Sequence, residues 1–208
     1  MTRSHDQHLS DTVVGVTYMS QVDRRQQLIE AAIRVLQRDG IGQVTTRAIA
    51  AEAGAPLASI HYTFGSKDDI VRAAFEQVIT DLLTQLDQRI TPGAGIVAAA
   101  GDLCRAVGRL LQDQRFAIVM WDLAPATDPW TREQSERWNR FAETILRREA
   151  AAAAEPEPSI GFERAGRLLV AGIDGLMIQF ELHGDASTTR ADLEALGVVI
   201  GGALGTRT

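Results

Sequence analysis

Two short helical segments separated by a glycine constrain the fold of this chain more than any other part of it. Residues 45–64 read TTRAIAAEAGAPLASIHYTF. Ala50 is small enough to let two helices cross closely, and Gly54, four residues later, tolerates the positive φ of a tight turn. Ile49 and Ile60 are then placed to form a small core between the two helices. This spacing predicts a helix-turn-helix.

The outward face of the second of these helices carries polar groups that suit nucleic-acid contacts. Ser59, His61, Tyr62 and Thr63 have short or planar side chains that can meet base edges and phosphate oxygens. A second interpretation is a plain helical hairpin with a polar outer face, since alanine, glycine and isoleucine at this spacing also arise by chance. From the motif alone, both interpretations stay open.

Helix-breaking residues divide the whole chain into about nine helical segments, and no stretch is a convincing strand. Ser20 and Ser66 each precede a carboxylate by three residues, a pattern typical of helix starts. The predicted helices run from Ser20 to Gly40, from Thr45 to Gly54, from about Pro56 to Phe64, from Ser66 to Thr91, and then over 96–112, 115–124, 131–154, 159–183 and 191–204. The expected fold is all-α, with a three-helix domain containing the helix-turn-helix before a larger helical domain.

The predicted segments suggest where the domains begin and end. We expect a leader without regular structure over 1–19, a helix-turn-helix domain over 20–66, and a helical domain over 67–208. No flexible linker follows Phe64. The two domains should therefore be joined rigidly through the helix that begins near Ser66.

Charge and cysteine content exclude several classes of protein. The formal net charge is −6, but basic and acidic side chains balance over residues 20–70, and Lys67 is the only lysine. The single cysteine, without CxxC pairs or clustered histidines, predicts no metal site, no cofactor and a cytoplasmic location. No apolar run is long enough for a membrane span, so no membrane partner is expected. Nucleophile–base pairs and phosphate-binding loops are not recognisable either, which disfavours an enzyme.

The surroundings of the helix-turn-helix resemble the N-terminal domain of the TetR family of regulators. The resemblance covers about residues 22–82 without a gap. The residues that carry it are a first helix from about Ser20, the GIGQVTT segment that begins at Gly40, Ile49 and Ala50, Gly54, and the ending formed by Tyr62, Phe64, Ser66, Lys67 and Asp68. It implies a dimeric, ligand-responsive transcriptional regulator that binds operator DNA.

The resemblance also implies which residues line the DNA face. They are Thr46, Arg47, Ala58, Ser59, His61, Tyr62, Thr63 and Lys67. Thr45 is added because Thr45 and Thr46 begin a helix, and the free backbone N–H groups at a helix start favour binding of a phosphate. The Tyr62 hydroxyl, its neighbouring threonine and Lys67 suit phosphate contacts that set position, whereas Ser59 and His61 are better candidates for base readout.

Three departures distinguish this chain from the family's pattern. Pro56 stands where a serine often caps the recognition helix, and Leu57 stands where a basic residue is common. His61 replaces a common tyrosine. We therefore expect lower charge-driven affinity, more apolar contact to DNA, or both, and an operator sequence that cannot be transferred from a relative.

The segment 164–179 resembles the penultimate helix of many family members, including an Asp-Gly-Leu motif that begins at Asp174. With residues 193–204 it would form a four-helix dimer interface, since a palindromic operator needs a two-fold protein. The predicted interface residues are Gly172, Gly175, Gln179, Leu193, Leu196 and Ile200. In the alternative interpretation, the glycines accommodate packing inside one subunit.

Large apolar and aromatic side chains in the helical domain form a candidate effector pocket. They are Phe116, Met120, Trp121, Trp130, Trp138, Phe141, Met177 and Phe180; the alternative is that they form ordinary core. The expected function is that of a repressor released from a palindromic operator by a small molecule. An activator and a DNA-binding protein without an effector are the alternatives. The expected partners are operator double-stranded DNA, a small-molecule effector and a second copy of the chain.

Overall fold

The computed structural model describes residues 20–113 and 129–205, and this part of the chain is helical throughout, without strands. Its α-helices are α1 (Gln21–Asp39), α2 (Thr46–Glu52), α3 (Leu57–Phe64), α4 (Lys67–Asp87), α5 (Gly95–Leu110), α6 (Pro129–Ala152), α7 (Phe162–His183) and α8 (Ala186–Gly205), and a 3₁₀ turn spans Ile41–Gln43. The predicted all-α fold class is confirmed. The helix predicted over 115–124 lies outside the described residues. Among the helices described, none has the length and apolar character needed to cross a bilayer.

Side-chain caps explain why three of the helices begin where the sequence predicts. The Ser20 hydroxyl accepts a hydrogen bond from the backbone N–H of Asp23 at 3.1 Å. Ser66 does the same for Asp69 at 3.1 Å, and Thr45 caps α2 in the same way. Each cap satisfies one of the backbone donors that a first helical turn leaves without a partner. The predicted starts of these helices are therefore confirmed.

The four N-terminal helices share one core. α1 packs against α2 and α4, and α3 lies against α2 and α4. Ile49 of α2, Ile60 of α3 and Ile70 of α4 are fully buried there. Burying a side chain of this size stabilises the fold by roughly 1.5–3 kcal/mol. The predicted small core of the helix-turn-helix is confirmed, and α4 contributes to it as well.

α4 joins the N-terminal helices to the rest of the molecule without a linker. α3 ends at Phe64, Gly65 turns the chain with a φ of 81°, and α4 begins at Lys67. The same helix buries Ile70 at its start and Leu86 near its end. One hydrophobic core therefore extends along α4 from the helix-turn-helix to the C-terminal helices.

Glycines allow α8 to approach α5, and α7 to approach α6, unusually closely. A Cβ added at Gly197 of α8 would lie 2.9 Å from the Cα of Gly101 on α5. A Cβ added at Gly166 of α7 would lie 2.8 Å from the backbone nitrogen of Glu143 on α6. No side chain fits at either contact, so these glycines are required by packing although glycine weakens a helix.

The last two helices begin at different residues from those predicted. α7 begins at Phe162 rather than Ser159, because Gly161 adopts a φ of 77° that the helix cannot continue through. α8 begins at Ala186 rather than at residue 191. The Asp185 carboxylate accepts hydrogen bonds from the backbone N–H groups of Ser187 and Thr188 at 3.0 and 3.1 Å. This cap adds about one turn to the helix.

Candidate functional site

The turn between α2 and α3 has the geometry that a helix-turn-helix requires. Gly54 adopts a φ of 60°. The backbone N–H of Ala55 donates to the carbonyl of Ala50 at 3.0 Å, which closes the turn. The Gln27 side chain of α1 donates to the Ala53 carbonyl at 2.8 Å and ties the turn to the first helix. The positive φ predicted at Gly54 is confirmed.

α3 presents most of its predicted contact residues to solvent. Tyr62 is 82% exposed, Ala58 and His61 are exposed, and Ser59 and Thr63 are half-buried. Ala58 and Tyr62 lie on the side of α3 opposite the buried Ile60, Ser59 and His61 flank it, and Thr63 lies one turn after Ile60. The Tyr62 side chain therefore contributes little to the core and is accessible to another molecule.

The start of α3 differs from a capped helix in the way that the sequence indicates. Pro56 is the residue that precedes the helix, and its side chain makes no capping hydrogen bond. Leu57, which stands where a cation is common in the family, is half-buried and packs against the core. Part of the Leu57 side chain is therefore used in packing, and only the remainder is accessible for an apolar contact to DNA.

The cations near the helix-turn-helix differ in whether a carboxylate binds them. Arg34 and Arg38 of α1 both bind Glu52, with nitrogen–oxygen distances of 2.7 and 2.8 Å. These hydrogen bonds hold the pKa of the Glu52 carboxyl below its usual range, so the carboxyl stays ionised and neutralises much of their charge. Within the described residues, Arg47 and Lys67 are exposed and make no ion pair. The even charge balance of the sequence therefore conceals cations that no carboxylate of the described residues engages, and among them Arg47 and Lys67 belong to the predicted DNA face.

Arg24 and Arg25 of α1 make no ion pair with a carboxylate of the described residues either: Arg24 donates to the Gln27 amide oxygen at 2.7 Å, and Arg25 is engaged by an aromatic ring. The Arg25 guanidinium lies 4.9 Å from the ring centre of Phe64, the last residue of α3. A cation over an aromatic face is attracted by the electrons of the ring. This contact joins α1 to the end of α3. The sequence did not single out Arg25, because the pairing depends on how the two helices cross.

The predicted effector-pocket residues are brought together only in part. Trp130 of α6 packs edge-on against Phe75 of α4, with ring centres 5.6 Å apart. Half-buried side chains packed against the core are Trp138, Phe141 and Phe180, and Met177 is buried. Phe116, Met120 and Trp121 lie outside the described residues. Sequence reasoning missed Phe75, although it lies next to Ala74 on the apolar stripe of α4.

α6 also contacts α4 through polar side chains. The Arg137 guanidinium donates to the Thr80 hydroxyl at 2.7 Å, and Arg148 binds Asp87 at 2.6 Å. α6 also binds the loop that follows α4. The buried Glu149 carboxylate accepts a hydrogen bond from the backbone N–H of Gly93 in that loop, at 2.5 Å. α4 is thus fastened to the helix that carries the aromatic residues.

The predicted dimer residues divide into buried and exposed groups. Leu193 is fully buried inside the single chain, so the prediction that it contacts a partner is wrong. A Cβ at Gly172 would lie 2.9 Å from the side chain of Leu196, which favours packing inside one subunit for this glycine. Leu196 and Ile200 are half-buried, while Gly175 and Gln179 are exposed.

A different set of apolar side chains is exposed on the same two helices. We call it the α7–α8 face; its residues are Leu168, Ile178 and Leu182 of α7 and Val198 and Val199 of α8. Val198 and Val199 are 73% and 66% exposed. The i, i+4 spacing of the α7 pair Ile178 and Leu182 is visible in the sequence, but only the packing shows that this side of the helix faces outward.

Asp174 lies on α7 beside this face, one turn before Ile178. It makes no hydrogen bond or ion pair to another described residue. Although the side chain is exposed in the single chain, the atoms packed around it desolvate the carboxyl and raise its pKa to about 6. Elsewhere, the described residues contain no group of three or more histidine, cysteine, aspartate or glutamate side chains that could hold a metal ion.

Comparisons with known proteins agree with the geometry of the N-terminal helices. The family model for bacterial regulatory proteins of the tetR family matches residues 28–74. The nicotine-responsive transcriptional repressor HdnoR of Paenarthrobacter nicotinovorans is 32% identical over 172 residues, which cover 78% of this chain and 86% of the relative. The transcriptional regulator BetI of Brucella anthropi is 32% identical over 171 residues, covering 78% of this chain and 84% of BetI.

A solved structure resembles most of this chain. The multidrug binding protein EbrR, crystallised with imidazole, superimposes with a TM-score of 0.63 at 29% identity, covering 84% of this chain and 89% of EbrR. The sequence relatives are matched over most of their length, so the similarity extends well beyond the helix-turn-helix. The chain belongs to the TetR family of bacterial DNA-binding transcriptional regulators.

Proposed function

We propose that this chain is a homodimeric repressor that a small organic molecule releases from a palindromic operator. Residues 20–66 would bind DNA, and residues 67–208 would bind the effector and form the dimer. The observation that carries the proposal is the continuity of α4, which packs in the core of the helix-turn-helix at Ile70 and is fastened to α6 at Thr80 and Asp87.

DNA recognition is assigned to α3 in the major groove. Ser59 and His61 would read base edges, while Tyr62 and Thr63 would contact phosphates together with Lys67. The remaining members of the proposed DNA face are Thr45, Thr46, Arg47 and Ala58. Support comes from the exposure of His61 and Tyr62 and from the absence of competing ion pairs at Arg47 and Lys67 within the described residues.

A second copy of the chain is proposed to cover the α7–α8 face. Five large apolar side chains exposed on two neighbouring helices favour an interaction surface. A two-fold axis through this face would place the same residues of both copies against each other, as a palindromic operator demands. Gly175 and Gln179 are exposed beside it and fit the same interface.

Effector binding is assigned to the space between α4, α6 and α7. HdnoR is described as nicotine-responsive, and EbrR as a multidrug binding protein. Both descriptions support a small organic effector here, and a regulator rather than an enzyme. A ligand against α6 would shift α4 through Arg137 and Arg148 and so change the separation of the two α3 helices. It can do this only if it binds the two arrangements with different affinities.

Selection of binding sites from random double-stranded DNA tests this function. The enriched sequences should be palindromes whose half-sites are centred about one helical turn, or a multiple of it, apart. Nicotine is a first effector probe, and it should weaken binding to the selected site in a gel-shift titration if this chain shares the response of HdnoR. Failure to enrich any sequence would contradict the DNA-binding assignment, and enrichment of non-palindromic sites would contradict the dimer.

Two substitutions distinguish base readout from phosphate contact on the proposed DNA face. His61→Ala should weaken binding to the selected operator by about 5- to 150-fold, because one base contact contributes about 1–3 kcal/mol of discrimination. Lys67→Ala should weaken operator and random DNA alike and reduce the slope of log affinity against log salt by about one.

Fluorescence anisotropy at several salt concentrations measures both effects. Arg167→Ala is the matched control, because Arg167 is an exposed cation of α7 that pairs with Glu163. It should leave operator affinity unchanged. If His61→Ala and Lys67→Ala both bind like the unmodified protein, α3 and the start of α4 do not form the DNA face.

A further inference from the structure

We propose that the effector of this chain is a small organic cation with a flat apolar body, whose N–H groups donate to Gln134 and Thr131 of α6. The inference rests on the proposed function, since it names the chemical class of molecule that the same pocket binds. It is carried by two buried oxygen atoms without hydrogen-bond partners on the helix face that also bears the aromatic residues.

Gln134 is the residue that most clearly requires a partner. It is 8% exposed, and its side-chain oxygen is buried without a hydrogen bond. The hydroxyl oxygen of Thr131, three residues earlier, is also buried and without a partner. An amide oxygen can only accept hydrogen bonds, and burial deprives it of water. Its natural complement is therefore a donor that arrives with another molecule.

The aromatic residues of α6 lie on the same side of the helix as these two oxygens. Trp130, Gln134, Trp138 and Phe141 follow one another at intervals of four, four and three residues, so they share one face of the helix. The ring of Phe75 on α4 extends that face through its edge-on contact with Trp130. Aromatic faces attract cations and stack on flat apolar groups.

The facing helix supplies an apolar wall. The approach of Gly166 to the backbone of Asn139 and Glu143 sets the antiparallel register of α6 and α7. In that register, the part of α7 that contains Met177 lies level with Trp130 and Gln134, and Met177 is buried there. Two cations of α6 lie near this level: Arg132 is exposed to solvent, and Arg137 is directed to Thr80 of α4 by its 2.7 Å hydrogen bond.

These features select the chemical class of the effector. A carboxylate or phosphate would bring further acceptors towards the Gln134 oxygen, whereas an ammonium group brings donors and is attracted by the rings. A neutral alcohol of the same size could donate one hydrogen bond but would lack the cation–ring attraction. A protonated amine on an aromatic or alkyl body satisfies both parts of the site.

Calorimetric titration of the full-length protein with three probes of matched size tests the inference. The probes are 2-phenylethylamine, 2-phenylethanol and 3-phenylpropanoate, which are cationic, neutral and anionic at neutral pH. The amine should bind at least about 10-fold more tightly than the carboxylate, the ratio that loss of one charge-assisted hydrogen bond gives. Equal or tighter binding of the carboxylate, or binding of none of the three, would overturn the assignment.

Variants of the two oxygens supply the second part of the test. Gln134→Leu should lower the affinity for the amine by about 5- to 10-fold, and Thr131→Val should lower it by less. Gln134→Glu should raise the affinity for the amine, because the acceptor becomes charged. The thermal unfolding midpoint of each variant checks that it folds, and Thr131→Val, which preserves shape, keeps the test valid if Gln134→Leu does not fold. Unchanged amine affinity in a folded Gln134→Leu protein contradicts the inference.

Operator binding is measured separately, so that the two proposals can fail independently. If the amine binds as expected but operator affinity does not change, the ligand class stands and release by that ligand is refuted. If a neutral or anionic compound releases the operator while the amine does not bind, the proposed function stands and the ligand class is wrong.

Discussion

Replacing Ile178 and Val199 together by glutamate should convert the protein into a monomer and weaken operator binding by about 100-fold or more, because two linked half-sites bind far more tightly than one. Ile178 is 45% exposed and Val199 is 66% exposed on the α7–α8 face, so neither charge disturbs a packed core. In the dimer, however, each carboxylate would be desolvated against its counterpart in the second copy. Sedimentation velocity gives the oligomeric state, and a gel-shift titration gives the operator affinity.

Ile160→Glu is the matched control for this prediction. Ile160 is 37% exposed and lies in the loop between α6 and α7, outside the proposed interface. The variant should remain a dimer with normal operator affinity. A dimer that persists in the Ile178→Glu, Val199→Glu protein would show that the second copy binds elsewhere.

The second large effect is expected at the buried carboxylate that holds the loop after α4. Glu149 is 2% exposed, and it accepts hydrogen bonds from the backbone N–H of Gly93 and from the Arg148 guanidinium, at 2.5 and 2.7 Å. Glu149→Ala removes both bonds and leaves the Gly93 donor without its partner. The free energy of unfolding should fall by about 2–4 kcal/mol, as for other broken buried networks.

Urea unfolding at one fixed protein concentration measures this loss, since the stability of a dimer depends on concentration. Glu149→Gln keeps the shape and one acceptor, so it should lose less than Glu149→Ala. Glu163→Ala is the surface control, because its side chain is 73% exposed and its pair with Arg167 should contribute less than about 1 kcal/mol. A loss at Glu149 no larger than at Glu163 would mean that the carboxylate does not hold the loop.

Much of the fold could be predicted because local interactions decide it. Thr45, Ser20 and Ser66 cap helices with their own side chains, and Gly54 turns the chain through its own backbone freedom. Such effects extend over a few residues, so the sequence contains everything needed to predict them. The burial of Ile49 and Ile60 also follows from local spacing, given two helices and a turn of known type.

Predictions that depended on distant contacts were less successful. Leu193 has the spacing of an interface residue, yet α8 turns it inward, close to the Gly108 position of α5. Helical spacing shows which residues share a face, but it does not show whether that face meets another helix of the same chain or a second copy. The cap at Asp185 was missed for a different reason, since a short polar segment after Gly184 is compatible with a loop as well as with a helix start.

The helix-turn-helix thus illustrates the division between sequence and tertiary structure. The sequence by itself determined its two helices, its turn, its small core and its family, because caps, glycine freedom and helical spacing act locally. Only the tertiary structure decided its electrostatics, since Glu52 lies beside Arg34 and Arg38 while Arg47 and Lys67 make no ion pair in the described part of the chain. The pairing of charges on different helices depends on how those helices cross, and that crossing is set by the packing of the whole core.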